Sequence, residues 1–113
     1  MISKIKKIIK NKLYREMEEG DIGIDELKSY QNNGAVVVDV RSPQEYEEGH
    51  IDGAISIPEY NIKKNVENIL KDKNEKIIVY CSSGGRSRKA QKTLKKLGYN
   101  KVYNLYNGIE NYF

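Results

Sequence analysis

The only cysteine of the chain, Cys81, closes an apolar run from Ile77 to Tyr80 and opens the stretch Ser82-Ser83-Gly84-Gly85-Arg86-Ser87. A thiolate is a strong nucleophile, and its surroundings decide how readily it forms. Gly84 and Gly85 let the backbone take positive φ and bring successive N–H groups together. Clustered N–H groups and a helix N-terminus both favour negative charge, so this stretch suits an anion around a sulfur nucleophile and favours the thiolate of Cys81. Ser82, Ser83 and Ser87 add hydroxyl donors, with turn formation as their plainer use. Arg86 is read in two ways: as a contact to the anion, or as a pin that holds the loop through backbone carbonyls. Arg88 is expected on the outward side of the helix that follows, with the pocket mouth as its alternative place.

The chemistry needs a scaffold that presents this loop. The reading is strand, tight loop, helix, with the loop at the carboxyl end of a strand, where parallel α/β sheets place their sites. Ala35-Val36-Val37-Val38-Asp39-Val40 is continuous and β-branched, which predicts a strand buried on both faces of a parallel sheet. Ser42 with Glu45 three residues on is a capping box, with Pro43 at the first helical position, and it predicts a short helix to about Glu48, stopped by Gly49. Asp39 and Arg41 flank the end of the strand and are expected to pair and orient loops, because buried charges are normally paired. His50, the sole histidine, titrates near neutrality when unperturbed. A ring held by backbone hydrogen bonds in the Gly49–Gly53 turn is preferred over a general base.

The remaining elements follow from periodicity. Asp25 is expected to cap a helix to about Gln31, after a short extended Ile22-Gly23-Ile24. Ala54 to Pro58 reads as a brief strand, Asn61 to Lys71 as a helix, and Lys76 to Tyr80 as a buried strand. From Arg86, Ala90, Leu94 and Leu97 form a helical stripe that Gly98 ends, with Lys89, Lys92, Lys95 and Lys96 on its wet face. Lys101 to Leu105 is a last strand, and Asn107-Gly108 turns the chain into a terminal piece. The alternation predicts an α/β fold with a mostly parallel sheet.

Residues 1–19 form a separate unit in this reading. Ile2, Ile5, Ile9 and Leu13 recur at helical spacing among lysines, which predicts an amphipathic basic helix ended by Gly20. Lysines interrupt what a signal peptide would keep apolar. The default is a helix packed on the domain or extending from it; contact with a membrane surface or a partner is the alternative. Residues 20–113 make the one domain that a 113-residue chain allows.

Composition narrows the classes. Hydrophobic residues at 38% and charged residues at 32% fit a soluble domain, and a net charge of +4 assists encounter with a small oxyanion. No clustered basic motif points to nucleic acid. One cysteine cannot form an internal disulfide, so a cytoplasmic address is the default. No pattern calls for a metal or cofactor.

Three groups of residues carry a family resemblance. Val38-Asp39-Val40-Arg41, Glu45-Tyr46 with Gly49-His50-Ile51, and Gly53 to Pro58 resemble the first signature of single-domain rhodaneses. Ile78-Val79-Tyr80-Cys81 with Gly85-Arg86-Ser87 resembles their active-site loop. Gly98-Tyr99 and Tyr103-Asn104-Leu105 with Gly108 resemble their closing segment. The match runs over about residues 21–113. It implies five mostly parallel strands with helices on both faces, and a sulfurtransferase that moves a sulfane sulfur through a Cys81 persulfide from thiosulfate or another persulfide. It implies a thiol or protein as acceptor and residues 82–87 around the substrate anion, with no cofactor. The family often has a second glycine and a tryptophan where Asn107-Gly108-Ile109 stands; that departure is expected to touch only the packing of the domain end. Cysteine phosphatases and arsenate reductases on this fold resemble Cys-x5-Arg, whereas four residues separate Cys81 from Arg86, and the shorter ring disfavours a phosphate. A persulfide carrier, or a partner-binding module without turnover, is the competing reading. A redox-sensing cysteine and a merely packed one are further alternatives.

Overall fold

The computed structural model describes residues 17–112. The amphipathic helix expected over residues 1–19 falls almost wholly outside them. Five strands form one sheet: β1 (Asp21–Ile22), β2 (Val36–Asp39), β3 (Ile55–Ser56), β4 (Ile77–Tyr80) and β5 (Val102–Leu105). Their order is β1-β5-β4-β2-β3. Every pairing is parallel, so the mostly parallel sheet of the sequence reading is parallel throughout. Four helices connect the strands: α1 (Ile24–Asn32), α2 (Pro43–Glu48), α3 (Ile62–Ile69) and α4 (Gly85–Lys96). Short 3-10 turns at Glu59–Asn61 and Gly108–Asn111 complete the chain.

The continuous apolar strands do what double burial requires. Successive side chains point to opposite faces. Val38, Ile77, Val79 and Cys81 therefore join α3 and α4 in one core, with Val66 and Leu94. Val37, Ile78 and Tyr80 join Leu27 of α1 and Ile51 in the other. Cys81 thus continues the register of the α4-side core, one residue beyond the strand.

Two local expectations change. Asp25 does not cap α1. Gly23 is the N-cap in extended conformation, and the Glu26 carboxylate reaches back to its N–H at 3.3 Å. That leaves Asp25 in the first turn, where a negative charge still suits the helix dipole. The helix expected from Asn61 is preceded by a turn at Glu59–Asn61, because Pro58 lacks an N–H and its carbonyl takes the Asn61 N–H at 2.8 Å.

Candidate active site

The site lies at the carboxyl ends of β2 and β4. Two backbone donors converge on Cys81 Sγ. The Gly84 N–H stands at 3.1 Å and the Ser87 N–H at 3.3 Å, with the Ser87 Oγ also in contact at 3.3 Å. Gly84 reaches this position because its φ is +106°, a left-handed conformation that glycine takes without steric cost. Ser87 is fully buried, and its hydroxyl donates to the Gly84 carbonyl at 3.2 Å. The loop therefore closes as a ring on the sulfur. Cys81 itself is 1% exposed.

The Arg86 guanidinium turns to the Glu45 carboxylate in a bidentate pair at 2.7 and 3.0 Å. It also donates to Ser82 Oγ at 3.2 Å, and Ser82 donates on to Glu45 at 3.1 Å. The Ser82 hydroxyl is thus part of the clamp. The same carboxylate completes the α2 capping box with the Ser42 N–H and hydroxyl, both at 3.1 Å. Arg86, with help from Ser42 and Ser82 and against the cost of burial, holds the Glu45 carboxyl well below the usual carboxylate range. Ser83 is exposed on the loop. Gly85 begins α4.

Behind the loop, Asp39 is fully buried. It accepts from the Arg41 N–H at 2.9 Å, from Arg41 Nη2 at 2.7 Å, and from the Tyr80 hydroxyl at 2.7 Å. The Tyr80 oxygen in turn accepts the Ile51 N–H at 3.0 Å. Arg41 also donates to the Gly49 carbonyl at 2.5 Å. Burial, reinforced by Asp39, pushes the Tyr80 phenol up, so it stays a neutral donor. This network ties the end of β2, the turn around Gly49 and the residue before Cys81 into one unit. His50 lies in that turn: Nδ1 is 2.8 Å from the Tyr46 carbonyl, and its ring stacks on Tyr46 at 3.7 Å.

Two features lay beyond sequence reasoning. Arg88 is not outward. Its side chain is 12% exposed and pairs with the fully buried Asp21 carboxylate at 2.9 Å and with Glu18 at 2.6 Å. The closing turn is the second. The Cys81 carbonyl accepts the Ile109 N–H at 2.9 Å, and the Ser82 carbonyl accepts the Glu110 N–H at 3.2 Å. A trans peptide sets its N–H opposite its C=O, so these bonds aim the Ser82 and Ser83 N–H groups away from the turn. A Cβ on Gly108 would lie 2.3 Å from the Ser82 oxygen and 2.5 Å from the Cys81 oxygen. The domain end, through Gly108 and the N–H groups after it, therefore bears directly on the cysteine loop. Glycine followed by an apolar residue near the chain end was the available signal.

Among the described residues, no group of three or more His, Cys, Asp or Glu side chains is placed to hold a metal, and no helix is long and apolar enough to cross a membrane.

An all-parallel sheet that delivers one cysteine into a ring of backbone donors defines a class of α/β domain built around a single sulfur. The family model of the rhodanese-like domain matches residues 23–113, and the chain belongs to that family. It is 39% identical over 67 residues to the thiosulfate sulfurtransferase PspE of Escherichia coli, covering 59% of this chain and 64% of that one. It is 37% identical over 76 residues to a putative sulfur carrier protein, YrkF, of Bacillus subtilis, covering 67% of this chain and 40% of that one. At 40% identity over 82 residues, it also matches a tRNA uridine(34) hydroxylase of Enterobacter, covering 69% of this chain and 24% of the hydroxylase. The chain thus spans less than two thirds of the length of these curated relatives. Among solved structures, a Staphylococcus saprophyticus protein superposes with a TM-score of 0.73 at 35% identity, covering 86% of this chain and 94% of that one. A human single-domain sulfurtransferase has the same fold, with a TM-score of 0.74 at 22% identity, covering 84% of this chain and 96% of that one.

Proposed function

We propose that the protein is a sulfurtransferase that works through a persulfide on Cys81. The observation that carries this reading is the convergence of the Gly84 and Ser87 backbone N–H groups on Sγ at 3.1 and 3.3 Å. Such donors stabilise a sulfur anion with no reorganisation during the reaction, and a single donor of this kind is worth about 3 kcal/mol in other active sites. In the first step the Cys81 thiolate attacks the outer sulfur of a donor. The donor S–S bond breaks, its electron pair leaves with sulfite when the donor is thiosulfate, and the outer sulfur stays on Cys81. In the second step a thiophile attacks that sulfur, and the Cys81–S bond breaks to return the thiolate. Splitting the transfer in two is nucleophilic catalysis. The second acceptor is cyanide in an assay and a thiol or a protein in the cell.

The loop supports sulfur over phosphorus. Arg86 lies on Glu45 and leaves the ring centre without a guanidinium for phosphate oxygens. A compartment that keeps thiols reduced suits a lone nucleophilic cysteine, which favours the cytoplasm.

The second reading is a persulfide carrier, favoured by the likeness to a putative sulfur carrier protein. Both readings share the first step and differ in turnover. A cyanide-detected assay with thiosulfate, wild type against Cys81→Ser, tests the enzyme. Thiocyanate formed over many turnovers by wild type alone supports it. A stoichiometric persulfide without turnover selects the carrier.

A further inference from the structure

Both N–H groups that reach Sγ belong to the turn that opens α4. The Gly84 carbonyl accepts the Arg88 N–H at 3.1 Å and the Ser87 hydroxyl at 3.2 Å, so the turn is tied to itself. Those bonds fix its shape. Its place against the sulfur, which sits at the end of β4, needs anchors from outside. Arg86 reaches Glu45 on α2, and Arg88 reaches Asp21 on β1. Side chains two positions apart stand about 200° around a helix axis, so the two arginines hold opposite flanks. Ser87 lies between them, and its N–H meets Sγ at 3.3 Å. The two anchors differ in burial. The side chains of Arg86 and Glu45 are 43% and 32% exposed, whereas those of Arg88 and Asp21 are 12% and 0% exposed. Arg88 Nη1 and Nη2 lie 3.3 and 2.9 Å from the two Asp21 oxygens. The Asn104 side-chain amide and the Glu18 N–H donate to the same carboxylate at 3.0 and 2.7 Å. Arg88 Nε is buried and meets no acceptor among the described residues, which costs free energy. A buried ion pair adds little net stability over apolar side chains of similar volume. What a planar fork on a fixed carboxylate does add is a single placement for the helix start.

We infer that Arg88 and Asp21 are a positioning pair that sets the Gly84 and Ser87 N–H groups against Cys81 Sγ. The inference rests on the sulfur-transfer reading and adds two residues to its machinery. Neither touches the sulfur; both act through the Ser87 peptide. Asp21 precedes the residues that the family model matches, and Arg88 follows the Gly85-Arg86-Ser87 stretch by which the loop resembles the family. The pair is therefore a feature of this chain, beside the Glu45–Arg86 clamp on the other flank.

The double variant Asp21→Asn/Arg88→Met tests this. It removes one charge of each sign, so the local charge sum is unchanged, and methionine fills the inward space with a flexible apolar chain. Neither partner is left as a buried orphan charge, so the fold is retained. Lys73→Ala is the control at the far end of α4, where Lys73 donates to the Leu97 carbonyl at 2.6 Å and pairs with Glu67 at 2.7 Å. Weaker hydrogen bonds to a thiolate favour the thiol. The expected result for the double variant is alkylation of Cys81 by iodoacetamide about tenfold slower at pH 7, with the pH profile displaced upward by about one unit. Loading of Cys81 with sulfur slows by a similar factor. Lys73→Ala loses stability in urea but keeps the wild-type profile. Asp21→Asn alone removes a negative charge, which by charge alone would move the profile down; the loss of positioning moves it up. A wild-type profile in the double variant, a downward shift in Asp21→Asn, or an equal upward shift in Lys73→Ala overturns the assignment while leaving sulfur transfer intact. Wild-type protein that takes sulfur from neither thiosulfate nor a small persulfide overturns the sulfur-transfer reading, and the alkylation profiles still decide the role of the pair.

Discussion

Replacing Gly108 by alanine tests whether the chain end builds the cysteine loop. Gly108 has a φ of +67°, and a Cβ there meets the Ser82 and Cys81 carbonyl oxygens at 2.3 and 2.5 Å. Both atoms are backbone, so no side chain can swing away to relieve the contact. An alanine in the left-handed region costs about 1–2 kcal/mol, and overpacking adds about 1–3 kcal/mol. The Ile109 and Glu110 N–H bonds to those carbonyls weaken as well, each being worth about 1 kcal/mol. The expected loss is about 3–5 kcal/mol, a large share of the roughly 5–15 kcal/mol that holds a domain together. Gly34→Ala is the control: its φ is +95°, but nothing lies within 4 Å of the added Cβ, so it pays only the backbone term of about 1–2 kcal/mol. Urea unfolding gives the difference. The pH profile of Cys81 alkylation by iodoacetamide, read under folding conditions, gives the effect on the loop. It shifts in Gly108→Ala and stays at wild type in Gly34→Ala. Equal stability losses in the two variants, with identical alkylation profiles, would refute the idea that the closing turn shapes the loop.

Other substitutions probe the surrounding network. Tyr80→Phe removes a hydroxyl that donates to Asp39 and accepts from Ile51; leaving those buried groups short of a partner is expected to cost about 1–3 kcal/mol in chemical denaturation. Arg88→Ala leaves the Asp21 carboxylate buried without its principal cation, and a loss of about 3 kcal/mol is expected by the same measurement. The Glu45–Arg86 clamp gives a pH signature. The folded-state pKa of Glu45 lies below its ordinary value of 4.5, chiefly because of Arg86. Its contribution is therefore present above pH 4.5 and is lost as the pH falls toward the folded value. Both partners are partly solvent-exposed, so the clamp is worth about 0.5–1 kcal/mol. Unfolding free energies of wild type and Glu45→Gln measured from pH 7 downward should converge in the acid range.

What the sequence disclosed and what it withheld divide along one physical line. Local rules were readable. The runs of Val and Ile announced strands buried on both faces, and Ser42, Pro43 and Glu45 marked the start of α2 by capping chemistry alone. The loop after Tyr80 was visible as small residues between an apolar run and a helical stripe. Partnerships across the chain were not readable. Glu45 was legible as a capping residue, but a carboxylate has two oxygens and several lone pairs, and nothing local reports that the second oxygen meets Arg86 and Ser82. Arg88 carries helical periodicity that suits an outward place; its inward turn depends on Asp21, which only the pairing of β1 with β5 brings near α4. Gly108 read as a turn glycine, and the carbonyls it makes room for belong to Cys81 and Ser82, on another element. Ser82 read as an anion donor because its type allowed it, and nothing local reported that its hydroxyl joins the clamp.

The most direct test of the central claim is the mass of Cys81 itself. Wild-type protein incubated with thiosulfate or a small persulfide, then freed of donor and analysed intact and after digestion, should carry one additional sulfur atom on the peptide that contains Cys81. That mass should vanish on addition of cyanide, with thiocyanate released in equal amount, and should never form in Cys81→Ser. A Cys81 peptide that keeps its original mass after exposure to both donors would contradict the account.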